Sequence, residues 1–292
     1  MGGMTTSKPT NVPSVTLNDG TEMPQIGLGT WNLTGDDGAS IIRDAIAMGY
    51  RHIDTASIYH NEEEVGRAIR EAIAAGDVTR EELFVTSKLW NDDQGEDRVP
   101  AAFQESLHRL GLEYLDLYLV HWPAPSLGKY LESYEAIARL QGLGVIQSIG
   151  VSNFYEEVLQ ELIDATGTAP AVNQVELHPG FSQAPLRQVH EELGILTEAW
   201  SPLGRGAILQ DPVLDAVARD VGKTTAQVAL RWEMQLGCSV IPKSTNRERL
   251  GKILEVTDFT LNSEQMAAIS SLDEAEGFGR IFDDPRTYPS ED

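Results

Sequence analysis

Residues 99–123 read VPAAFQESLHRLGLEYLDLYLVHWP, and this stretch decides the fold class. Apolar side chains recur at helical spacing through Val99–Leu110, and Gly111 is a favourable C-terminal cap for that helix. Shortly afterwards, Leu115–Val120 is a β-rich apolar run that predicts a strand. A helix followed closely by a strand is the repeating unit of an α/β protein.

The same alternation extends in both directions from this unit. The predicted strands are Gln25–Leu28, His52–Thr55, Leu83–Ser87, Leu115–Val120, Ile146–Gly150, Ala171–Val175, Leu196–Ala199 and Ser239–Ile241. The predicted helices are Asp37–Met48, Glu62–Ala74, Val99–Leu110, Lys129–Leu140, Tyr155–Ala165, Pro185–Glu192, Thr224–Leu236 and Arg247–Leu254.

Alternating strands and helices imply parallel pairing through right-handed crossovers. A doubly wound sheet and a closed barrel both fit this pattern, and eight units in one chain favour the (β/α)8 TIM barrel. Val15–Ile26 precedes the first unit and predicts a β-hairpin that turns at Asn18-Asp19-Gly20. We expect a disordered segment at 1–13 and one α/β domain over 14–292.

The composition narrows the possible partners. Among the 292 residues, 22 are Lys or Arg and 45 are Asp or Glu, which gives a formal net charge of −23. Such a chain should repel nucleic acid and anionic membranes. The charge fits a solvated acidic surface or adaptation to high salt. The single cysteine, Cys238, excludes an internal disulfide, and we expect a cytoplasmic monomer with no membrane or nucleic-acid partner.

Charged and aromatic side chains follow the predicted strands, where TIM barrels carry their functional groups. Asp54, Lys88 and His121 come at three successive strand ends, with Tyr59 close behind the first. Each alone fits a structural role such as a buried ion pair. Together they favour a catalytic group. The remaining strand-end candidates are Thr30, Trp31, Trp90, Trp122, Ser152, Asn153, Gln174, Glu176, His178, Trp200, Ser201, Lys243 and Ser244.

This group suits protonation of a carbonyl. An isolated tyrosine has a pKa near 10, and an ammonium such as Lys88 should lower it by stabilising the phenolate. Asp54 can hold Lys88 in place, and His121 can donate to a carbonyl oxygen. Other chemistries lack their motifs: the sequence has no zinc-ligand spacing, no Gly-x-Ser-x-Gly, and no third glycine after Gly27-Leu28-Gly29. We expect no metal.

Five ordered motifs resemble those of the aldo-keto reductase superfamily. They are Gly49–Ala56 with Tyr59 and Glu63–Gly66, Leu110–Pro123, Ile149–Phe154, Asn173–Pro179 and Ile241–Ser244. Two further stretches, Ala199–Gly204 and Gly279–Pro285, look like the bacterial 2,5-diketogluconate-reductase-like branch. The resemblance implies a (β/α)8 barrel whose base is closed by the N-terminal hairpin.

The resemblance also implies site residues. The catalytic tetrad would be Asp54, Tyr59, Lys88 and His121, with Tyr59 as general acid and NADPH as hydride donor. The cofactor contacts would be Thr30, Asp54, Ser152, Asn153, Gln174, Trp200, Ser201 and Leu203, and the 2′-phosphate contacts would be Lys243, Ser244 and Arg249. The substrate pocket would contain Trp31, Tyr59, Trp90, His121 and Trp122.

Two departures from the family pattern concern the cofactor. Lys252 and Ile253 stand where many members carry Glu and Asn against the adenine, and the charge of Lys252 should favour NADPH further. Trp200 replaces a tyrosine that stacks on the nicotinamide in many members, and an indole preserves the stacking.

The predicted function is NADPH-dependent reduction of aldehydes, ketones or dicarbonyls, with 2,5-diketo-D-gluconate and small 2-oxoaldehydes as candidate substrates. For an anionic keto acid, Arg205, Arg280 or Arg286 could pair with the carboxylate, and no spacing decides among them. Two alternatives stay open: a cofactor-binding regulatory subunit with little turnover, and an unrelated barrel lyase or isomerase that uses Lys88 for a Schiff base.

Overall fold

The computed structural model describes residues 12–289 and forms an α/β barrel. Strands β3 to β10 pair in parallel and in chain order, and an isolated parallel bridge from Ile26 to Val240 brings the first beside the last. The barrel strands are β3 (Gly27–Gly29), β4 (His52–Asp54), β5 (Phe84–Leu89), β6 (Leu115–Val120), β7 (Ile146–Ser152), β8 (Val172–Glu176), β9 (Leu196–Trp200) and β10 (Ser239–Val240). The predicted (β/α)8 fold is confirmed.

Helices surround this barrel and bury their apolar faces against it. They are α1 (Gly35–Met48), α2 (Glu62–Ala74), α3 (Val99–Leu110), α4 (Tyr130–Gly142), α5 (Glu156–Thr166), α6 (Ala184–Leu193), α7 (Pro212–Val221), α8 (Thr225–Gln235), α9 (Arg247–Leu254) and α10 (Ser263–Ser270). In α3 the apolar stripe of Val99, Phe103, Leu107 and Leu110 is buried, and Gly111 ends the helix with a φ of 65°. Helices α7 and α10 were not predicted, because the sequence interpretation assigned one helix to each strand.

The N-terminal hairpin covers one end of the barrel. Its strands β1 (Ser14–Thr16) and β2 (Glu22–Pro24) pair antiparallel, and Gly20 turns with a φ of 87°. Buried Leu17 and Met23 form an apolar cluster with residues from several strands, namely Phe84, Leu117, Leu119, Ala171 and Val172. The hairpin therefore closes the N-terminal end, and the carboxyl ends of the strands form the open mouth.

Several strands run further toward that mouth than predicted. β5 continues through Lys88 to Leu89, and β7 continues to Ser152. Their polar side chains point into the barrel, where partners satisfy them, so polarity does not end these strands. Lys88 and Ser152 are consequently held by strand hydrogen bonds rather than by loops.

The described part of the chain begins within the segment 1–13 that was expected to be disordered. Residues 1–11 lie outside the described part of the chain, as do 290–292. Pro13 is described, and its carbonyl accepts a hydrogen bond from the Gln25 amide at 2.8 Å. None of the helices in residues 12–289 is long and apolar enough to cross a bilayer, and these residues contain no cluster of His, Cys, Asp or Glu that could hold a metal ion.

Candidate active site

A buried ion pair lies at the centre of the site. Lys88 Nζ donates to Asp54 Oδ1 at 2.6 Å and to the Thr55 carbonyl at 2.9 Å. Adjacent parallel strands β4 and β5 present these two side chains, and both are fully buried. Burial lowers the pKa of Lys88, but the charge and hydrogen bond of Asp54, together with Tyr59 and Glu198, outweigh burial and hold the pKa above its usual value. The lysine is therefore a fixed cation.

Tyr59 lies next to this cation. Lys88 Nζ contacts the Tyr59 hydroxyl at 3.4 Å and lies 5.0 Å from the centre of its ring. Burial raises the pKa of Tyr59, and Lys88 opposes this increase without reversing it. Lys88 thus lowers the pKa of Tyr59 as expected, but the net shift is upward because desolvation exceeds the attraction of the ammonium. The hydroxyl keeps its proton at neutral pH.

His121 completes the predicted tetrad on the other side of Tyr59. Its ring packs edge-on against Tyr59 and Trp90, with centroid separations of 5.8 Å and 5.2 Å. Burial, and then the charge of Lys88, lower the pKa of His121 well below its ordinary value. The ring is therefore neutral at physiological pH. With its proton on Nε2, it can donate to a carbonyl oxygen.

Ser152, Asn153 and Trp200 form a hydrogen-bonded group beside the tetrad. Asn153 Nδ2 donates to the His121 carbonyl at 3.0 Å and to Ser152 Oγ at 3.1 Å. Trp200 Nε1 donates to Asn153 Oδ1 at 2.9 Å, and Ser152 Oγ donates to the Gln174 carbonyl at 2.8 Å. These contacts fix the side chains that the resemblance assigns to the nicotinamide carboxamide.

Gln174 connects the ion pair to a second buried carboxyl group. Its Nε2 donates to Asp54 Oδ2 at 2.8 Å and to Glu198 Oε2 at 2.7 Å. Glu198 was missed in the sequence, because it lies within a strand rather than after one. Its signal was the single acid in Leu196–Trp200, where alternate residues face the barrel interior.

The tetrad opens into a cavity of about 360 Å³ at the mouth. All five predicted substrate residues line it, together with most of the predicted cofactor residues. Additional lining residues that the sequence interpretation missed are Gly29, Ile58, Pro202, Ile241, Phe282 and Tyr288. The predicted residues along the cavity are Thr30, Trp31, Asp54, Tyr59, Trp90, His121, Trp122, Ser152, Asn153, Gln174, Trp200, Ser201 and Lys243. Leu203, Ser244 and Arg249 do not line it.

The cations beyond β10 fall into two kinds. Arg247 pairs with Asp44, and Lys252 pairs with Glu248 at 2.7 Å. The added positive charge expected from Lys252 is therefore compensated by its own helix. Lys243 and Arg249 are exposed and form no ion pair within residues 12–289. These two cations are therefore available to pair with an anionic ligand.

The three arginines considered for a substrate carboxylate are also separated. Arg205 lines the catalytic cavity, with its guanidinium 4.0 Å from the centre of the Phe282 ring. Arg280 approaches Glu176 at 3.9 Å, and Arg286 pairs with Glu157 at 3.3 Å. Arg205 alone of the three borders the cavity and has no carboxylate partner in the described chain.

The segment after α10 crosses the mouth as a tail. Buried Glu176 accepts the backbone N–H groups of Ile281 and Phe282 at 2.6 Å and 3.2 Å, and His178 Nε2 lies 3.1 Å from the same carboxylate. Phe282 then packs on Trp200, with 4.6 Å between ring centres. Further along, Tyr288 packs on Trp122 at 4.4 Å. Glu176 thus anchors the tail, His178 contacts the same carboxylate, and neither residue joins the tetrad.

Comparisons with known proteins identify the family of this chain. The profile of the aldo/keto reductase family matches residues 25–274. An aldo-keto reductase of Mycolicibacterium smegmatis is 51% identical over 276 residues, covering 94% of this chain and 98% of that protein. The 2,5-diketo-D-gluconic acid reductase B of a Corynebacterium species is 46% identical over 280 residues, covering 95% and 98%.

A solved structure extends the likeness to three dimensions. A Gox0644 variant in complex with NADPH superposes with a TM-score of 0.89 at 44% identity, covering 94% of this chain and 98% of that chain. The resemblance drawn from the motifs is confirmed: this chain belongs to the aldo/keto reductase family.

Proposed function

We propose that this enzyme reduces aldehydes, ketones or dicarbonyls to alcohols with NADPH, and that Tyr59 is the general acid. One observation carries this proposal: Lys88 Nζ contacts both Asp54, at 2.6 Å, and the Tyr59 hydroxyl, at 3.4 Å, at the base of an aromatic cavity. Such an arrangement places a proton donor and a fixed positive charge where a carbonyl oxygen becomes negative.

The described residues fit a nicotinamide cofactor. The ring of Trp200 borders the cavity beside Ser152, Asn153 and Gln174, which supply amide and hydroxyl groups for a carboxamide. When bound, the cofactor supplies the hydride. Lys243 and Arg249 are unpaired within residues 12–289 and would hold the 2′-phosphate together with Ser244. The NADPH in the Gox0644 complex supports this cofactor.

The protein residues act on the substrate oxygen. Tyr59 and His121 both border the cavity and donate to that oxygen, and Tyr59 transfers its proton as the oxygen gains charge. Burial raises the pKa of Tyr59, so the acid form predominates at neutral pH. Lys88 then stabilises the phenolate that remains, and Asp54 keeps Lys88 protonated and in position. Reprotonation of Tyr59 completes the cycle.

Arg205 points to substrates that carry an anionic group. It lines the same cavity as Tyr59 and has no carboxylate partner among residues 12–289, whereas Arg280 and Arg286 approach Glu176 and Glu157. A guanidinium at a pocket wall suits a carboxylate. We therefore favour oxo acids and related dicarbonyls within the broader carbonyl class. The Corynebacterium relative, a 2,5-diketo-D-gluconic acid reductase, is consistent with this preference.

The test is a panel of carbonyl compounds assayed by the loss of NADPH absorbance. The panel contains neutral aldehydes, aryl ketones, 2-oxoaldehydes and sugar-derived oxo acids. We expect turnover with several of them and a loss of about 10²- to 10⁴-fold in Tyr59→Phe. If NADPH binds but the wild-type enzyme reduces no member of the panel, the regulatory-subunit alternative replaces the proposal. Trapping of a carbonyl substrate on Lys88 by borohydride would instead support a Schiff-base lyase.

A further inference from the structure

We propose that Glu198 is a positioning residue that orients the nicotinamide through Gln174. The inference rests on the proposed function, because it concerns the cofactor that the reaction uses. Glu198 lies within β9, is fully buried, and does not line the cavity. Glu198 acts through the side-chain amide of Gln174, which lies between Glu198 and Asp54.

Both protons of the Gln174 amide nitrogen are occupied. One is donated to Asp54 Oδ2 at 2.8 Å, and the other to Glu198 Oε2 at 2.7 Å. An amide NH2 has only two protons. The nitrogen end is consequently held between two acid groups, and the amide plane is fixed by two contacts rather than one.

This arrangement decides which end of Gln174 meets a ligand. Asp54 is held as an acceptor by its pairing with Lys88, so the nitrogen of Gln174 faces it, not the oxygen. The oxygen, Oε1, accepts no hydrogen bond from residues 12–289, and Gln174 lines the cavity. Gln174 therefore offers an acceptor to the cofactor, which matches the NH2 of a nicotinamide carboxamide.

Asn153 provides a contrast within the same cavity. Its Nδ2 donates to His121 and Ser152, and its Oδ1 already accepts from Trp200 Nε1. Both donors of that amide and one lone pair of its oxygen therefore have protein partners. Gln174 Oε1 lacks one, so the orientation of Gln174 has the greater influence on how the carboxamide sits.

The surroundings of Glu198 suit an acceptor without a second negative charge. Burial, and after it the charge of Asp54, raise the pKa of Glu198 to about 8, although Gln174, Lys88 and Ser239 act against this increase. Its Oε1 lies 3.3 Å from Ser239 Oγ and 3.7 Å from His52 Nδ1. With the proton on Oε1, the other oxygen remains a carbonyl acceptor for Gln174.

The experiment compares Glu198→Leu with Glu198→Gln by fluorescence titration. The ligands are NADPH and 2′-phospho-ADP-ribose, which lacks the nicotinamide. Loss of one hydrogen bond corresponds to about a tenfold change. We expect Glu198→Leu to lower the affinity for NADPH about tenfold and the affinity for 2′-phospho-ADP-ribose less than twofold. Glu198→Gln, whose amide oxygen can accept from Gln174, should recover most of the affinity.

A second readout separates positioning from general damage. Hydride transfer is followed with NADPH deuterated on either face of C4. The wild-type enzyme should transfer from one face, and Glu198→Leu should transfer measurably from both. Glu233→Leu is the matched control, since Glu233 is equally buried but lies on α8 away from the cavity. It should alter neither ligand affinity nor facial selectivity. If Glu198→Leu does not fold, Glu198→Thr replaces it, because its hydroxyl is too short to reach Gln174.

The epistasis with Gln174 gives the decisive outcome. In a Gln174→Met background, Glu198→Leu should cause no further loss of NADPH affinity. If Glu198→Leu lowers the affinities for both ligands equally, the proposed role of Glu198 is overturned. It is also overturned if both the NADPH affinity and the facial selectivity stay unchanged. The binding measurements stand apart from turnover. A wild-type enzyme that binds NADPH but reduces no carbonyl would refute the proposed function alone, and one that does not bind NADPH would refute both.

Discussion

Two sets of ionisable side chains, the buried groups beneath the cavity, which we call the floor, and the exposed cations after β10, which we call the rim, differ in how they are paired. At the floor, Asp54, Lys88 and Glu198 are fully buried, and each hydrogen-bonds with another polar side chain. At the rim, Lys243 and Arg249 are exposed and have no acidic partner in the described chain. Buried charges need fixed partners, since burying an unpaired charge costs several kcal/mol. Exposed cations remain free for a ligand.

The difference separates two steps of the reaction. In the proposed reaction, floor residues would determine where a proton and a positive charge lie during the chemical step. Rim residues would determine how strongly a phosphate or carboxylate is held before that step. The contrast matters in a chain of net charge −23, where most nearby cations are already paired. Floor variants should therefore change turnover more than affinity, and rim variants should do the reverse.

Removing the hydroxyl of Tyr59 should have the largest effect. General acid catalysis typically contributes about 10²- to 10⁴-fold to a rate. We expect Tyr59→Phe to lose carbonyl reduction by that factor and to keep NADPH affinity within about twofold, because the ring and its contact with His121 remain. Single-turnover kinetics and fluorescence titration measure the two quantities. Near-normal turnover in this variant would remove Tyr59 from the role of acid.

At the rim, Arg249→Ala should weaken NADPH binding strongly and NADH binding little. A charge-assisted hydrogen bond to phosphate contributes roughly 1.5–3 kcal/mol, which corresponds to about tenfold to a hundredfold in affinity. NADH lacks the 2′-phosphate and should be almost indifferent. Titration of both cofactors is the measurement.

Arg247→Ala is the control for this prediction. Arg247 lies on the same helix but pairs with Asp44 and Ser40, so its loss should change NADPH affinity less than threefold by the standards of exposed ion pairs. Similar losses for NADPH and NADH in Arg249→Ala would show that Arg249 does not recognise the phosphate.

Arg205→Ala should have a smaller and substrate-dependent effect. For an oxo acid we expect KM to rise about tenfold, as for one exposed charge-assisted contact. For a neutral aldehyde of similar size, KM should stay within about twofold. Arg286→Ala serves as the comparison, because Arg286 pairs with Glu157 outside the cavity. A uniform rise for charged and neutral substrates would mean that Arg205 supports the pocket instead of selecting anions.

The smallest effect is expected at Cys238. It is fully buried, and burial raises the pKa of its thiol to about 12, so little thiolate exists at neutral pH. Activity should be the same with and without a reductant, and Cys238→Ser should respond in the same way. An oxidative loss that disappears in Cys238→Ser would contradict this expectation.

The sequence predicted the parts of the site that follow strands. Asp54, Lys88 and His121 could be placed together because the carboxyl ends of parallel strands meet at one mouth. Glu198 could not be found by that rule, since it lies inside β9 and is recognised only when the inward-facing side of the strand is known. Phe282 and Tyr288 were missed because they come from the tail, where no repeating pattern indicates which side chains turn inward.

The pKa shifts and ion pairs of the site also could not be predicted from the sequence. Proximity of Lys88 to Tyr59 was predicted, but the direction of the pKa shift depends on the depth of burial, which a sequence does not provide. Likewise, the sequence gives no reason to prefer one arginine as the partner of a substrate carboxylate. Only the contacts in the folded structure distinguish Arg205, Arg280 and Arg286.

The anchoring of the tail by Glu176 has an evolutionary consequence. The carboxylate holds the tail by the backbone N–H groups of Ile281 and Phe282, and main-chain donors are common to every residue except proline. The contacts at positions 281 and 282 therefore do not depend on which side chains these two positions carry. Mutation at position 282 or 288 can reshape the pocket while the anchor is inherited unchanged. Mutations in the tail can thus change the wall of the pocket without changing the residues of the reaction centre.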